Sequence, residues 1–138
     1  SVGVQTFDDA ILKKLNREHS ADDSRKTLLF LKQNTINYSF DLLFGLPGQS
    51  LAGLTQDLEE LKRFSPPHVS AYLMTIPEGH PLNQGRAADS TQAEMFHSID
   101  RELAAGGWNH YEISNYARPG YESRHNLGYW NDQPYWGL

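Results

Sequence analysis

Asn37-Tyr-Ser-Phe-Asp-Leu-Leu-Phe-Gly-Leu-Pro-Gly-Gln49 is the stretch on which the fold turns. With a period of two, Ile36, Tyr38, Phe40, Leu42 and Phe44 point to one side and Asn37, Ser39, Asp41 and Leu43 to the other, which predicts a strand with one apolar face. Gly-Leu-Pro-Gly punctuates its end and a helical pattern follows, so the unit reads as a βα pair. The polar face needs a reason, because a carboxylate is seldom buried without a partner. Asp41 therefore lines a cavity or binds something, or the strand is an exposed edge.

Outward from that strand, the same grammar recurs. Val2 and Val4 alternate with Gly3 and Gln5 in an opening strand. Asp8 caps a helix carrying Ile11, Leu12 and Leu15 that ends near Asn16 and Arg17. Ser20 with Asp23 forms a capping box for a second helix, whose Leu28, Leu29 and Leu31 supply a docking face and whose terminator is Asn34. Beyond the central strand, Ser50 caps the clearest amphipathic helix, with Leu51, Leu54, Leu58 and Leu61 at spacings of three and four. Pro66 and Pro67 close it, and residues 68 to 74 read as a strand whose buried face stays open. Residues 76 to 90 form a loop longer than a minimal connection, of the kind that carries function. Thr91 and Glu94 open a helix through Met95, Phe96, Ile99 and Leu103 that stops at Gly106 and Gly107. Residues 110 to 115 are a last strand.

Strands separated by helices imply parallel pairing through right-handed crossovers. The fold class is thus α/β, a fragment of a partial (β/α) TIM-like barrel with parallel strands, too few to close, followed by an aromatic-rich irregular segment. Residues 1 to 115 belong to the barrel, and 116 to 138 lead out of it with Tyr116, Tyr121, Tyr129, Trp130, Tyr135 and Trp136, a density unlike that of a disordered tail. The abrupt start and finish are those expected of a piece of something longer.

Composition narrows the function. A net charge of -5 with scattered Lys and Arg argues against a nucleic-acid surface and indicates no membrane association. No apolar run has the length of a membrane span and no leader is visible, which points to a cytoplasmic location. With no cysteine, these residues hold no disulfide, thiolate nucleophile or thiolate-bound metal.

Two constellations carry chemistry. Gly45-Leu-Pro-Gly-Gln49 lacks the Lys-Ser/Thr of a phosphate loop and reads as a tight turn. Gln5 and Asp41 lie on the polar face near the carboxyl ends of their strands, where α/β ligands bind, and Arg17 follows a helix end at the same edge. Amide, carboxylate and guanidinium together can hold a ribose and an amino-acid group, or simply satisfy one another. His125-Asn-Leu-Gly-Tyr-Trp130, with Arg118 and Arg124 nearby in sequence, is either a packed histidine among aromatics or an axial haem ligand beside stacking rings.

Six strings in order give this combination a precedent: Gly-Val-Gln-Thr-Phe (3 to 7), Asn-Arg-Glu-His-Ser (16 to 20), Asp-Leu-Leu-Phe-Gly-Leu-Pro-Gly-Gln (41 to 49), His-Val-Ser-Ala-Tyr-Leu (68 to 73), Tyr-Glu-Ile-Ser-Asn-Tyr-Ala-Arg-Pro-Gly-Tyr (111 to 121) and Ser-Arg-His-Asn-Leu-Gly-Tyr-Trp (123 to 130). Together they resemble the radical S-adenosylmethionine proteins grouped with oxygen-independent coproporphyrinogen III oxidase, and the last two resemble that group's haem chaperone branch. The resemblance implies a four-iron four-sulfur cluster, S-adenosylmethionine and haem as cofactors, with haem-acceptor proteins as partners. By position it implies that Gln5, Arg17, Asp41 and Thr75 contact S-adenosylmethionine, Arg17 on its carboxylate. It makes His125 the haem-iron ligand, with Asn126 and Tyr129 beside it. The family's three-cysteine motif and glycine-rich segments are missing from these residues, so the chain alone should not cleave S-adenosylmethionine. Three readings follow: the central part of a radical S-adenosylmethionine haem chaperone, an oxygen-independent coproporphyrinogen III oxidase, or a non-catalytic barrel fragment.

Overall fold

The structure is a computed structural model that describes residues 1–134, so Tyr135 and Trp136 of the predicted aromatic segment lie outside the described residues. The described residues form five strands and five α-helices: β1 (Val2–Gln5), α1 (Asp9–Lys14), α2 (Ala21–Gln33), β2 (Ser39–Phe44), α3 (Leu51–Phe64), β3 (His68–Leu73), α4 (Asp89–Ala105), β4 (Asn109–His110), β5 (Asn115–Ala117) and α5 (Arg124–Trp130). One sheet runs in the order β1-β2-β3-β5-β4. Its first three strands are parallel, joined by the crossovers that the sequence predicts, and the sheet stays open as part of a barrel.

Side-chain alternation sorts the two faces. Val4, Phe40, Leu42, Phe44, Val69, Ala71 and Tyr116 pack under Leu54, Leu58 and Leu61 of α3 and Met95, Ile99 and Leu103 of α4. Ser39, Asp41, His68, Ser70 and Asn115 take the opposite, polar face, with Ser39 beside His68 and Asp41 beside Ser70 in the β2-β3 register and Ser70 beside Asn115 in the next. This register resolves the face of β3 that sequence alone leaves open.

Several expectations change. The central strand begins at Ser39, because the amide of Ile36 closes the end of α2 on the carbonyl of Leu31 at 3.0 Å and the Ile36 side chain stays exposed. On α2 the buried stripe is Ala21, Ser24 and Leu28, and Leu29 is exposed, since neighbours on a helix are about 100° apart and adjacent leucines cannot share a narrow face. Thr91 does not cap α4. That helix starts at Asp89 after Ala88, which offers no side-chain cap; Gln92 Nε2 instead donates to the Ala87 carbonyl at 2.7 Å. The predicted strand over 110 to 115 is a hairpin, and its second arm, β5, runs antiparallel to β3. Finally, the aromatic stretch is not irregular throughout: Ser123 accepts from the Asn126 amide and caps α5.

Among the described residues no helix is long and apolar enough to cross a membrane.

Candidate functional site

The carboxyl edge of β1 is built around a departure from regular strand geometry. Val2 pairs with Phe40 and Gln5 with Leu42, so β1 fits one extra residue opposite β2, and Gln5 takes up the bulge at φ 67°. Gly3 faces the same side as Asp41. A β-carbon built at Gly3 would lie 2.8 Å from Gln5 Nε2 and 3.2 Å from Arg17 Nη2, so the amide and the guanidinium fold together over this glycine. Arg17 reaches that position because Asn16, at φ 59°, turns the chain after α1. Amide and guanidinium thus form a cradle suited to a carboxylate and a polar ligand, and the residues present fit an amino-acid cofactor such as S-adenosylmethionine. Thr75 is exposed two residues beyond β3 and joins none of these groups.

Beneath the bulge sits a group that sequence reading missed. Asp57 of α3 is 3% exposed. Its Oδ1 accepts from the Phe7 amide at 2.7 Å, and its Oδ2 accepts from Thr6 Oγ1 at 2.8 Å and from Gln49 Nε2 at 3.4 Å. One carboxylate therefore ties the loop after β1 to the Gly45-to-Gln49 turn. Burial pushes its pKa above the usual carboxylate range, against the lowering effect of those three hydrogen bonds. A charged residue between two turn-spaced leucines, Leu54 and Leu58 at helical spacing with Leu61, was the available signal. A second unforeseen group is Arg86, from the long loop. It donates to the carbonyls of Gly45 (3.1 Å) and Met74 (2.6 Å) just past the ends of β2 and β3, and to Gln92 Oε1 at 3.2 Å.

Asp41 opens onto a cavity of about 670 Å³ lined by Ser39, His68, Ser70, Tyr72, Asn115, Arg124 and Asn126 among others. The size is that of a small-molecule pocket and its walls are mostly polar. Ser39 Oγ donates to Asp41 Oδ1 at 3.5 Å and lies 2.7 Å from His68 Nδ1; His68 Nε2 lies 2.8 Å from the Tyr111 hydroxyl. Burial lowers the pKa of His68, and the charges of Asp41 and Glu112 oppose that shift. The cavity brings Asp41 and Asn126 to one space, which sequence spacing did not foresee; Gln5 and Arg17 are not among its walls.

His125 and Tyr129, one turn apart on α5, meet edge to face with centroids 4.9 Å apart. Both are exposed, and among the described residues neither ring nitrogen of His125 makes a hydrogen bond within the protein. An accessible imidazole beside an aromatic ring fits an axial haem ligand. The hollow beside them measures about 160 Å³, below the range of sites that enclose a whole ligand, so it can offer one wall to a macrocycle. Arg124 lines both this hollow and the larger cavity. Arg118 does not belong here: its guanidinium stacks on Trp108 at 4.2 Å and donates to Ser65 Oγ at 2.7 Å.

No family model matches the chain. It is 35% identical over 147 residues to the heme chaperone HemW of Lactococcus lactis and 35% identical over 143 residues to that of Escherichia coli; both alignments cover 100% of this chain and 38% of the relative. The chain thus spans about 38% of the length of these curated relatives. Among solved structures it superposes on the radical SAM coproporphyrinogen III oxidase HemN of Escherichia coli with a TM-score of 0.72, at 17% identity, over 94% of this chain and 31% of that one. That likeness carries the fold.

Proposed function

We propose that the protein is a haem chaperone of the radical S-adenosylmethionine proteins related to oxygen-independent coproporphyrinogen III oxidase, one that binds haem and delivers it to acceptor proteins. The observation that carries this reading is the placement of His125 and Tyr129 in ring contact on an exposed face of α5, with Asn126 turned toward the polar cavity. An imidazole held open in this way can ligate an iron that arrives from solution, and an open wall lets the same cargo leave, as a carrier requires.

Gln5 and Arg17, which meet over Gly3, would hold S-adenosylmethionine, Arg17 taking its carboxylate, with Asp41 reaching it from the neighbouring cavity and Thr75 from beyond β3. Bound next to a reduced four-iron four-sulfur cluster able to give it one electron, that cofactor would supply radical chemistry. With no cysteine among its 138 residues, the chain itself offers no thiolate to such a cluster. Within this reading, residues 1–115 contribute the barrel wall and 116–138 carry the haem region, with β5 of residues 115–117 crossing that boundary. A cytoplasmic location is part of the same proposal.

Haem titration of the full-length protein tests the reading. His125→Ala should weaken haem binding by at least about tenfold and move the Soret band; an unchanged band and affinity would exclude His125 as ligand. Separately, Arg17→Ala should weaken S-adenosylmethionine binding by about tenfold through loss of a charge-assisted pair. Equal affinity in calorimetry removes Arg17 from the site.

A further inference from the structure

The hydrogen bonds across the polar face join into one chain. Ser39 Oγ lies 2.7 Å from His68 Nδ1, with Ser70 Oγ at 3.3 Å and Asp41 Oδ1 at 3.5 Å also in reach. Burial favours the neutral imidazole, and its Nε2 lies 2.8 Å from the Tyr111 hydroxyl, the tautomer deciding which of the two donates. The Tyr111 oxygen accepts from the Ser123 amide at 3.2 Å. Ser123 is the residue that caps α5. An unbroken chain of hydrogen bonds therefore runs from the carboxylate wall on β2, across β3, to the first turn of the helix that bears His125.

That helix is tied to the sheet at its start, through the Ser123 amide. It has seven residues, none of them buried, and a helix of that length is not stable in isolation. Its orientation depends on how its start is tied to the sheet. Tyr111 itself is held by the hairpin, with its amide donating to the Asn115 carbonyl at 3.2 Å and its ring against the edge of His68 at 5.8 Å.

We infer that His68 and Tyr111 are positioning residues for haem: they fix the start of α5, and through it the direction in which His125 presents its ring. The inference rests on the haem reading above and adds to it a pair of residues that need not touch the macrocycle. His68 opens β3, and Tyr111 is the first residue of the turn between β4 and β5, held there by its amide bond to the Asn115 carbonyl.

Tyr111→Phe in the full-length protein keeps the ring and deletes the hydroxyl. Haem affinity should fall about tenfold and the Soret band should move toward that of His125→Ala. In the haem-free protein, amide hydrogens of residues 126–130 should exchange faster, while S-adenosylmethionine affinity stays within about twofold. His68→Leu should reproduce the haem effect, and the double variant should add nothing to it, because the two groups act as one chain. If Tyr111→Phe fails to fold, His68→Asn, which keeps a polar group in the cavity, carries the same measurements. Wild-type haem affinity and Soret band in Tyr111→Phe, beside a His125→Ala protein that has lost haem, would overturn the inference. Haem retained undiminished by His125→Ala overturns the underlying reading, and the inference with it.

Discussion

The two candidate sites of this chain are held in opposite ways. The Gln5 and Arg17 cradle stands on a bulged parallel strand, and the loop after it is bound by a carboxylate buried to 3% exposure. The His125 and Tyr129 pair stands on a seven-residue helix with no buried side chain, whose start is tied to the sheet through the Tyr111 hydroxyl. One is anchored within the core; the other is docked on it from outside. A site that keeps a cofactor needs fixed geometry, whereas a site that passes a cargo onward gains from a mount that can yield.

The comparison breaks most readily at Asp57. Asp57→Ala leaves the Phe7 amide, the Thr6 hydroxyl and the Gln49 amide without their shared acceptor, and should cost about 3 kcal/mol of global stability in denaturant unfolding. If the loss is under about 1 kcal/mol, the anchoring of the first site is not what distinguishes it. The same carboxyl sets a pH dependence. Its folded pKa lies above the unfolded value of about 3.9, so between the two the folded state binds the extra proton. Stability from Asp57 is then full below that window and declines as pH rises through the folded pKa. Asp57→Asn, nearly the same shape, should flatten this slope; an unaltered slope assigns it to another group.

A smaller effect sharpens the contrast from the other side. Ser123→Ala removes a cap whose acceptor lies 3.4 Å from the Asn126 amide but keeps the backbone donor to Tyr111. It should loosen α5 by less than about 1 kcal/mol, visible in amide exchange of that helix, with the global unfolding midpoint unmoved. A shift in the midpoint comparable to that of Asp57→Ala would mean that α5 unfolds together with the sheet, and the distinction drawn here would fail.

How far the sequence announces these arrangements differs by region for physical reasons. Period-two alternation around Asp41 and the caps at Asp8, Ser20 and Ser50 are local signals, and the structure carries each of them. Asp57 offered one cue, its place between Leu54 and Leu58, but its pairing was illegible because its partners, Thr6, Phe7 and Gln49, are up to 51 residues away. Pairing of that kind is decided by tertiary proximity and leaves no periodic trace. The hairpin at 109–117 was misread as one strand because its four-residue turn, Tyr111 to Ser114, lacks the glycine that usually marks such a reversal. The α5 helix was hidden by its aromatic content and Gly128, both poor for helix propensity, and its cap at Ser123 was the legible cue.

The antiparallel arm β5 gives the sheet a direction of growth. By running against β3 and then turning into a two-residue β4, the hairpin closes that flank to another long parallel strand. Among the described residues the flank of β1 has no such stop, and a further strand in register there would lie alongside Gly3 and Gln5. Extension of the barrel is thus steered to the side where the cradle stands, so each added strand would raise a wall around Arg17 before it could approach α5.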